Sequence, residues 1–124
     1  MKTFKELKVW KKAHELVLRI YSETRLFPDE EKYGLTAQIR RSASSVPTNI
    51  VEGHKRKSSK EFSRFLNLAD SSLEETKYHL ILAQDLGYLC KNNYEDINEL
   101  CIEVGKMITG LEKKLKADEL ITEG

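Results

Sequence analysis

The residues with the clearest chemical potential in this chain are a group of cations near its middle. Five positive charges fall between positions 55 and 64, where Glu61 is the only acid: Lys55, Arg56, Lys57, Lys60 and Arg64. Lysine and arginine at this density neutralise phosphates and give a sequence-independent affinity that falls steeply with salt. The pattern predicts a polyanion-binding surface. The alternative is a solvated helix end whose charges only keep the protein in solution.

Further cations extend the candidate surface along the chain. The full set of candidate nucleic-acid-binding residues is Lys8, Lys11, Lys12, Arg40, Arg41, Lys55, Arg56, Lys57, Lys60 and Arg64. Few exposed aromatic residues are expected beside the five cations between positions 55 and 64, so base stacking and sequence reading are not predicted. Residues 1–64 carry 15 basic and 8 acidic side chains (+7), and residues 65–124 carry 6 and 12 (−6). This division indicates either a face for a polyanion or basic and acidic helices that pair with each other.

Other kinds of chemistry find little support. A di-iron bundle site needs Glu-x-x-His motifs, and none occurs; the three histidines have no ligand spacing. The serines around Ser42 have no histidine and carboxylate in evident reach, and no glycine-rich phosphate loop follows a strand. We therefore expect no catalytic residue, no metal, no cofactor and no enzymatic activity.

The cysteines and the hydropathy indicate the compartment. Cys90 and Cys101 are eleven positions apart in apolar surroundings, which predicts two buried free thiols in a reducing cytosol. The chain begins without an apolar signal core and contains no apolar run long enough for a membrane span. We expect a cytoplasmic protein with no membrane partner.

Composition and periodicity place these residues on helices. The 124 residues are 40% hydrophobic, with two prolines and abundant Leu, Glu and Lys, which favours a single all-α domain over residues 1–124. Apolar stripes with helical spacing predict helices at about 4–25, 33–57, 58–87 and 94–116, with residues 117–124 frayed. Ser58 and Gly87 are the expected N-cap and left-handed C-cap of the third helix. The predicted architecture is an antiparallel up-down four-helix bundle.

The second helix has a proline in its interior. Pro47 removes the hydrogen bond to the carbonyl of Ala43 and costs about 3 kcal/mol, so a kink or a close helix contact is expected there. Asn49 is placed to satisfy a carbonyl that the kink frees. Arg41 and Glu52, about three turns apart on one side, are candidates for pairing across a subunit boundary. We interpret these residues as structural or interface residues.

The third helix carries more apolar surface than one intramolecular contact needs. Its second stripe consists of Phe65, Leu68, Ser72, His79, Leu82 and Leu86. Phe65, Leu68 and Ser72 are therefore candidate interface residues, and the extra stripe predicts a homo-oligomer. Trp10 and Tyr33 are expected to anchor the core and the entry to the second helix.

Two segments resemble a known family. QIRRSASSVPTNIVEG (Gln38 to Gly53), preceded by YGL, and FSRFLNLADSSLEE (Phe62 to Glu75) resemble proteins encoded in intervening sequences of bacterial 23S ribosomal RNA. The accessory variability determinant of diversity-generating retroelements belongs to the same group. The most specific positions are Arg41, Ser45, Pro47, Asn49, Ile50, Glu52 and Gly53. The chain departs from the family pattern in having Asp70, where glycine often precedes the serine of the third helix.

The resemblance implies a homopentameric ring of four-helix bundles, which in a retroelement works beside a reverse transcriptase. Together with the basic residues, it favours a non-enzymatic, homo-oligomeric adaptor that holds RNA or DNA by its phosphates. The alternative is a structural or protein-interaction module with no nucleic-acid role.

Overall fold

The chain folds into four α-helices, as expected for an all-α protein. The computed structural model describes the backbone of residues 3–123 and the side chains of residues 3–119. The helices are α1 (Lys8–Thr24), α2 (Leu35–Lys55), α3 (Ser59–Asp85) and α4 (Lys91–Glu123). Short 3-10 turns at Phe4–Glu6 and Asp29–Glu31 precede α1 and α2. The helix order matches the sequence prediction, although α4 begins three residues earlier than expected and continues past Lys116.

The helices pack as a four-helix bundle. The most extensive contact joins α2 and α3; α3 also packs on α4, and α1 contacts both α2 and α4. The apolar stripe of α2 is buried as predicted, and it shares one hydrophobic core with buried leucines of α3 and buried aliphatic residues of α4. These residues are Leu35, Ile39, Ala43, Val46 and Ile50 on α2, Leu66, Leu73 and Leu80 on α3, and Ile97, Val104 and Ile108 on α4.

A single residue caps each end of α3. The Ser58 hydroxyl accepts a hydrogen bond from the Glu61 amide at 3.2 Å, so the predicted N-cap is confirmed. Gly87 has φ of 81°, which confirms the left-handed C-cap. The Gly87 amide donates to the Gln84 carbonyl and the Tyr88 amide donates to the Ala83 carbonyl, a Schellman motif.

The contact between α2 and α3 contains an internal line of hydroxyl groups. Ser72 donates to Ser45 at 2.9 Å, and Thr76 donates to Ser42 at 2.9 Å. The two helices therefore approach closely next to Asp70, where the family pattern often has glycine. Small serines on α2 allow this approach, and their hydroxyl groups satisfy one another away from water.

Pro47 is buried inside α2, as the sequence predicts; a kink at this position stays a prediction. The Asn49 side chain donates to the carbonyl of Ser45 at 2.8 Å and to the Ser45 hydroxyl at 3.1 Å. Asn49 thus donates to a backbone carbonyl of the turn before Pro47, that of Ser45. That a kink frees this carbonyl stays a prediction.

Two sequence expectations about burial need correction. Cys101 is buried but Cys90 is exposed, because Cys90 lies in the turn just before α4 and not within its apolar stripe. Tyr33 is 88% exposed and does not anchor the entry to α2. Phe27 fills that place and packs against the Tyr88 ring, 5.5 Å between centroids. Trp10 is half-buried and stacks on His14 at 5.1 Å.

Candidate nucleic-acid interface

The five cations between positions 55 and 64, hereafter the junction cluster, lie where α2 ends and α3 begins. Lys55 is the last residue of α2 and Ser59 the first of α3, so three residues connect the helices. Gly53 is buried where the two helices meet; a Cβ atom there would lie 2.8 Å from Phe65 Cβ and 2.8 Å from Phe62 Cδ1. The absence of a side chain at Gly53 thus lets α3 start close to α2, which gathers the cations of both helix ends.

Two arginines of the junction cluster are held in place by one aromatic ring. Arg56 and Arg64 lie over the Phe65 ring, with their Cζ atoms 4.7 Å and 5.4 Å from its centroid. Phe65 itself is buried, with 7% exposure. A cation over an aromatic face is stabilised by about 0.5–1 kcal/mol at exposed sites. Phe65, a candidate interface residue, is therefore the support of the junction cluster within the protomer.

The lysines of the junction cluster project into solvent. Lys55, Lys57 and Lys60 are exposed, and none of them forms an ion pair or hydrogen bond with any residue from 3 to 119. Their charges are therefore available to an external anion. The N-terminus of α3 adds positive partial charge at the same place.

Lys116 on α4, which is not among the candidate residues from the sequence, lies close to the junction cluster. Lys116 lines a cavity of about 570 Å³ together with Lys60, Arg64 and Asn67. Glu61 and Glu119 border the same cavity, so its charge is mixed. Lys116 is more than 50 positions from Lys60 in sequence, and only the packing of α4 against α3 brings the two together.

The candidate lysines of α1 lie in a different setting. Lys8, Lys11 and Lys12 line one cavity of about 340 Å³ between α1 and α4, with Glu15 and Glu103 opposite. Lys12 Nζ is 3.2 Å from Glu15 and 3.6 Å from Glu103. The hydrogen bond to Glu15, followed by the charge of Glu103, raises the pKa of Lys12. Lys12 is occupied within the protomer, which weakens it as a phosphate ligand.

Charge pairing between α1 and α4 extends beyond Lys12. Arg19 Nη2 lies 4.0 Å from Asp96. Basic α1 and acidic α4 thus pair with each other, one of the two interpretations of the uneven charge distribution. The junction cluster fits the other interpretation, because its lysines have no acidic partner among the described residues.

Arg40 and Arg41 are separate from the junction cluster. They lie near the start of α2, and 15 residues of helix, about 22 Å, separate Arg40 from Lys55. Arg40 Nε donates to the Thr24 hydroxyl at 2.8 Å, and its guanidinium lies 4.6 Å from the Tyr21 centroid. Arg41 is exposed. Both arginines are candidate nucleic-acid-binding residues by sequence, and in the structure they lie beside the exposed Tyr21 and Tyr33.

Ser42 and His79 lie closer to each other than the sequence indicated. The Ser42 hydroxyl is 3.3 Å from His79 Nδ1, and His79 Nε2 is 4.0 Å from Glu75, so the expectation of no histidine in reach is wrong. Burial lowers the pKa of His79, and the nearby Glu75 carboxylate opposes this shift. Ser42 and His79 are 4% and 5% exposed, and Ser42 borders none of the cavities described here. This arrangement offers a substrate no access to the hydroxyl.

The second apolar stripe of α3 divides between the inside and outside of the protomer. Phe65 and His79 are buried and Ser72 bonds to α2, whereas Leu68 is 48% exposed and Leu86 is 49% exposed. Further large hydrophobic side chains are exposed elsewhere on the two helices. They are Tyr78 and Ile81 on α3 and Ile102 on α4.

Arg41 and Glu52, the candidates for pairing between subunits, are both exposed on α2. Neither forms an ion pair within the part of the chain that the structure describes. Among the described residues, no group of three or more His, Cys, Asp or Glu side chains could hold a metal ion. No helix in the same range is long and apolar enough to span a bilayer.

Comparisons with known proteins agree on one family. The family model described as 23S rRNA-intervening sequence protein matches residues 5–110. A crystal structure from Bacteroides thetaiotaomicron, of a protein of unknown function from the S23 ribosomal protein family, superposes with a TM-score of 0.78. It is 30% identical and covers 85% of this chain and 98% of its own. No curated protein matches the chain.

Proposed function

Because the chain belongs to the 23S rRNA-intervening sequence protein family, we propose that it is a non-enzymatic adaptor that binds RNA or DNA through phosphate contacts. The junction cluster is the binding surface. The single observation that carries the proposal is that three exposed lysines and two ring-supported arginines meet at one helix junction, where no acid among residues 3–119 forms an ion pair with them.

The physical basis is counterion release. A nucleic acid sheds condensed cations when lysine and arginine neutralise its phosphates, and this supplies affinity for any sequence. Arg56 and Arg64 are already oriented by Phe65, so they lose less side-chain freedom on binding than unsupported arginines would. Lys55, Lys57 and Lys60 are flexible point charges that can follow a backbone of any register.

The adaptor acts as a homo-oligomer, and the family resemblance implies five copies. Support comes from the exposed apolar side chains of α3, with Leu68, Tyr78 and Ile81 between 44% and 60% exposed. Burying apolar surface contributes roughly 25 cal/mol per Å², so these side chains favour contact with a second copy. Arg41 and Glu52 are available for ion pairs between subunits. Repeated junction clusters would then add their weak contacts through multivalency.

The test of nucleic-acid binding compares two triple variants of equal net charge. One replaces Lys55, Lys57 and Lys60 with glutamine. The other replaces three exposed lysines of α4 that do not line the cavity shared by Lys60 and Lys116, namely Lys91, Lys106 and Lys114. Affinity for a single-stranded RNA is measured by fluorescence anisotropy at fixed salt. We expect the junction variant to lose at least ~10-fold in affinity and the α4 variant to change little.

Equal losses in the two variants would show that only net charge matters, and unchanged binding in both would exclude the junction cluster. No binding of RNA or DNA by the wild-type protein would leave a structural or protein-interaction module as the function. Light scattering on the same samples gives the number of subunits. We expect Leu68→Ser to weaken self-association, and a monomeric wild-type protein at micromolar concentration would exclude the oligomeric part of the proposal.

A further inference from the structure

A second surface of the bundle combines cations with exposed aromatic rings. Between α1 and the start of α2 lies a cavity of about 390 Å³, hereafter the tyrosine groove. Its lining residues are Tyr21, Lys32, Tyr33, Thr36, Ala37, Arg40, Arg41 and Ser44. The tyrosine groove has three basic residues and no carboxylate in its lining. The other cavities described here each include glutamate.

The two tyrosines of the groove present their rings to solvent. Tyr33 is 88% exposed and Tyr21 is 41% exposed. Lys32 Nζ lies 5.5 Å from the Tyr33 centroid, and Arg40 Cζ lies 4.6 Å from that of Tyr21. Each aromatic surface therefore has a positive charge beside it. An exposed ring with an adjacent cation is what base-stacking sites on single-strand-binding proteins use.

The position of Arg40 is fixed before any ligand arrives. Its Nε donates to the Thr24 hydroxyl at 2.8 Å, and that hydroxyl donates in turn to the Ile20 carbonyl at 2.8 Å. The end of α1 thus holds the guanidinium over Tyr21. A planar guanidinium in a fixed position can contact a phosphate or stack on a base at a reduced entropic cost.

The adjacent acid Glu31 does not line the groove. One of its carboxylate oxygens accepts from the Leu35 amide at 3.0 Å and the other from the Tyr88 hydroxyl at 2.9 Å. This hydrogen bond from Tyr88 raises the pKa of that phenol. Glu31 therefore caps the start of α2 and ties it to the α3–α4 loop, and the charged residues in the lining of the groove are Lys32, Arg40 and Arg41.

We propose that the tyrosine groove binds unpaired bases of a single-stranded nucleic acid, with Tyr33 as the stacking platform and Lys32 and Arg40 as phosphate ligands. This inference rests on the proposed function, and it narrows the ligand from any polyanion to a strand with accessible bases. A duplex cannot offer a base face to Tyr33, because its bases are stacked on one another. An acidic protein would match the charges but would leave the exposed rings without planar partners.

The experiment removes either the bases from the oligonucleotide or the aromatic ring from position 33 of the protein. Affinities for an oligothymidine and for an abasic oligodeoxynucleotide of equal length are measured with the wild-type protein, Tyr33→Ser and Tyr33→Phe. Because Tyr33 is 88% exposed, neither change threatens the fold. We expect the wild type to bind oligothymidine about 5- to 100-fold more tightly than the abasic strand. Tyr33→Ser should lose this preference, and Tyr33→Phe should keep it.

Failure of this inference can be told from failure of the proposed function. Equal, salt-dependent affinity of the wild type for both strands would overturn the stacking site and leave phosphate binding intact. Retention of the preference by Tyr33→Ser would overturn it also. Loss of self-association in Tyr33→Ser, with the preference kept, would make the groove a contact between copies. If neither strand binds to the wild type, the proposed function itself fails.

Discussion

Replacing Gly53 with alanine should destabilise the bundle, although alanine is the better helix former. Gly53 lies in α2 opposite the start of α3, and a Cβ atom there would be 2.8 Å from both Phe65 Cβ and Phe62 Cδ1. Carbon atoms in good contact are about 3.5–4.0 Å apart, so something must move by more than half an ångström. The Phe62 ring can rotate, but Phe65 Cβ is fixed to the α3 backbone. The helices must therefore separate.

Two terms of opposite sign determine the result. Overpacking of this kind costs about 1–3 kcal/mol. Replacing glycine with alanine inside a helix gains about 1 kcal/mol. Gly110→Ala isolates the second term, because a Cβ atom at Gly110 would meet nothing within 4 Å on the exposed side of α4. We therefore expect Gly110→Ala to stabilise the protein and Gly53→Ala to be less stable than Gly110→Ala by about 1–3 kcal/mol.

The assay is urea unfolding of the wild type and both variants, followed by circular dichroism at one protomer concentration so that self-association contributes equally. The difference in unfolding free energy between the two variants measures the overpacking alone. Gly53→Ala should also weaken nucleic-acid binding, since the separation of α2 from α3 moves the junction cluster. If Gly53→Ala proves as stable as Gly110→Ala, the close approach of the two helices is not what requires glycine at this position.

Three further predictions concern single side chains. Burial lowers the pKa of His79, so the unfolded chain takes up a proton at higher pH than the folded protein does. The free energy of unfolding should therefore fall as the pH drops below about 6.5. His79→Gln should reduce this pH dependence in unfolding experiments across the same range. Burial raises the pKa of Cys101 to about 12, so a thiol reagent should label the exposed Cys90 rapidly and Cys101 only after denaturation; rapid labelling of both would contradict the burial. Ser58→Ala removes the hydroxyl that caps α3 and should cost about 1 kcal/mol in the same urea assay, whereas no loss would mean that the cap contributes nothing.

Local patterns predicted the helices well. The α2 stripe from Leu35 to Ile50 and the caps at Ser58 and Gly87 depend on neighbouring residues only, which a single sequence displays directly. The start of α4 was harder to predict from the sequence. Asn93 is of a residue type that often caps helices, but it lies within a helix that begins at Lys91. Propensity at one position does not outweigh the packing of a whole helix.

The sequence predicted the part of the site whose residues are neighbours in the chain. It did not predict the part that is brought together only by the packing of the helices. The junction cluster is visible as a run of charge, but its support by Phe65 and the arrival of Lys116 depend on how three helices meet. The pairing of Lys12 with Glu103 likewise joins distant parts of the chain. A weak signal for the tyrosine groove was present, since Tyr33 follows Lys32 directly in the turn before α2. The sequence predicts Tyr33 as an anchor of the entry to α2, and only the packing of that entry around Phe27 shows that Tyr33 remains exposed.

The most direct test of phosphate binding by the junction cluster is the salt dependence of affinity for a single-stranded RNA. For single strands the logarithm of the binding constant falls with the logarithm of salt concentration by about 0.7 per neutralised phosphate. If three or more cluster cations contact phosphates, the wild-type slope should be about −2 or steeper, and replacing Lys55, Lys57 and Lys60 with glutamine should flatten it by about 2. A wild-type slope near zero, or the same slope in the variant, would contradict phosphate binding at this junction.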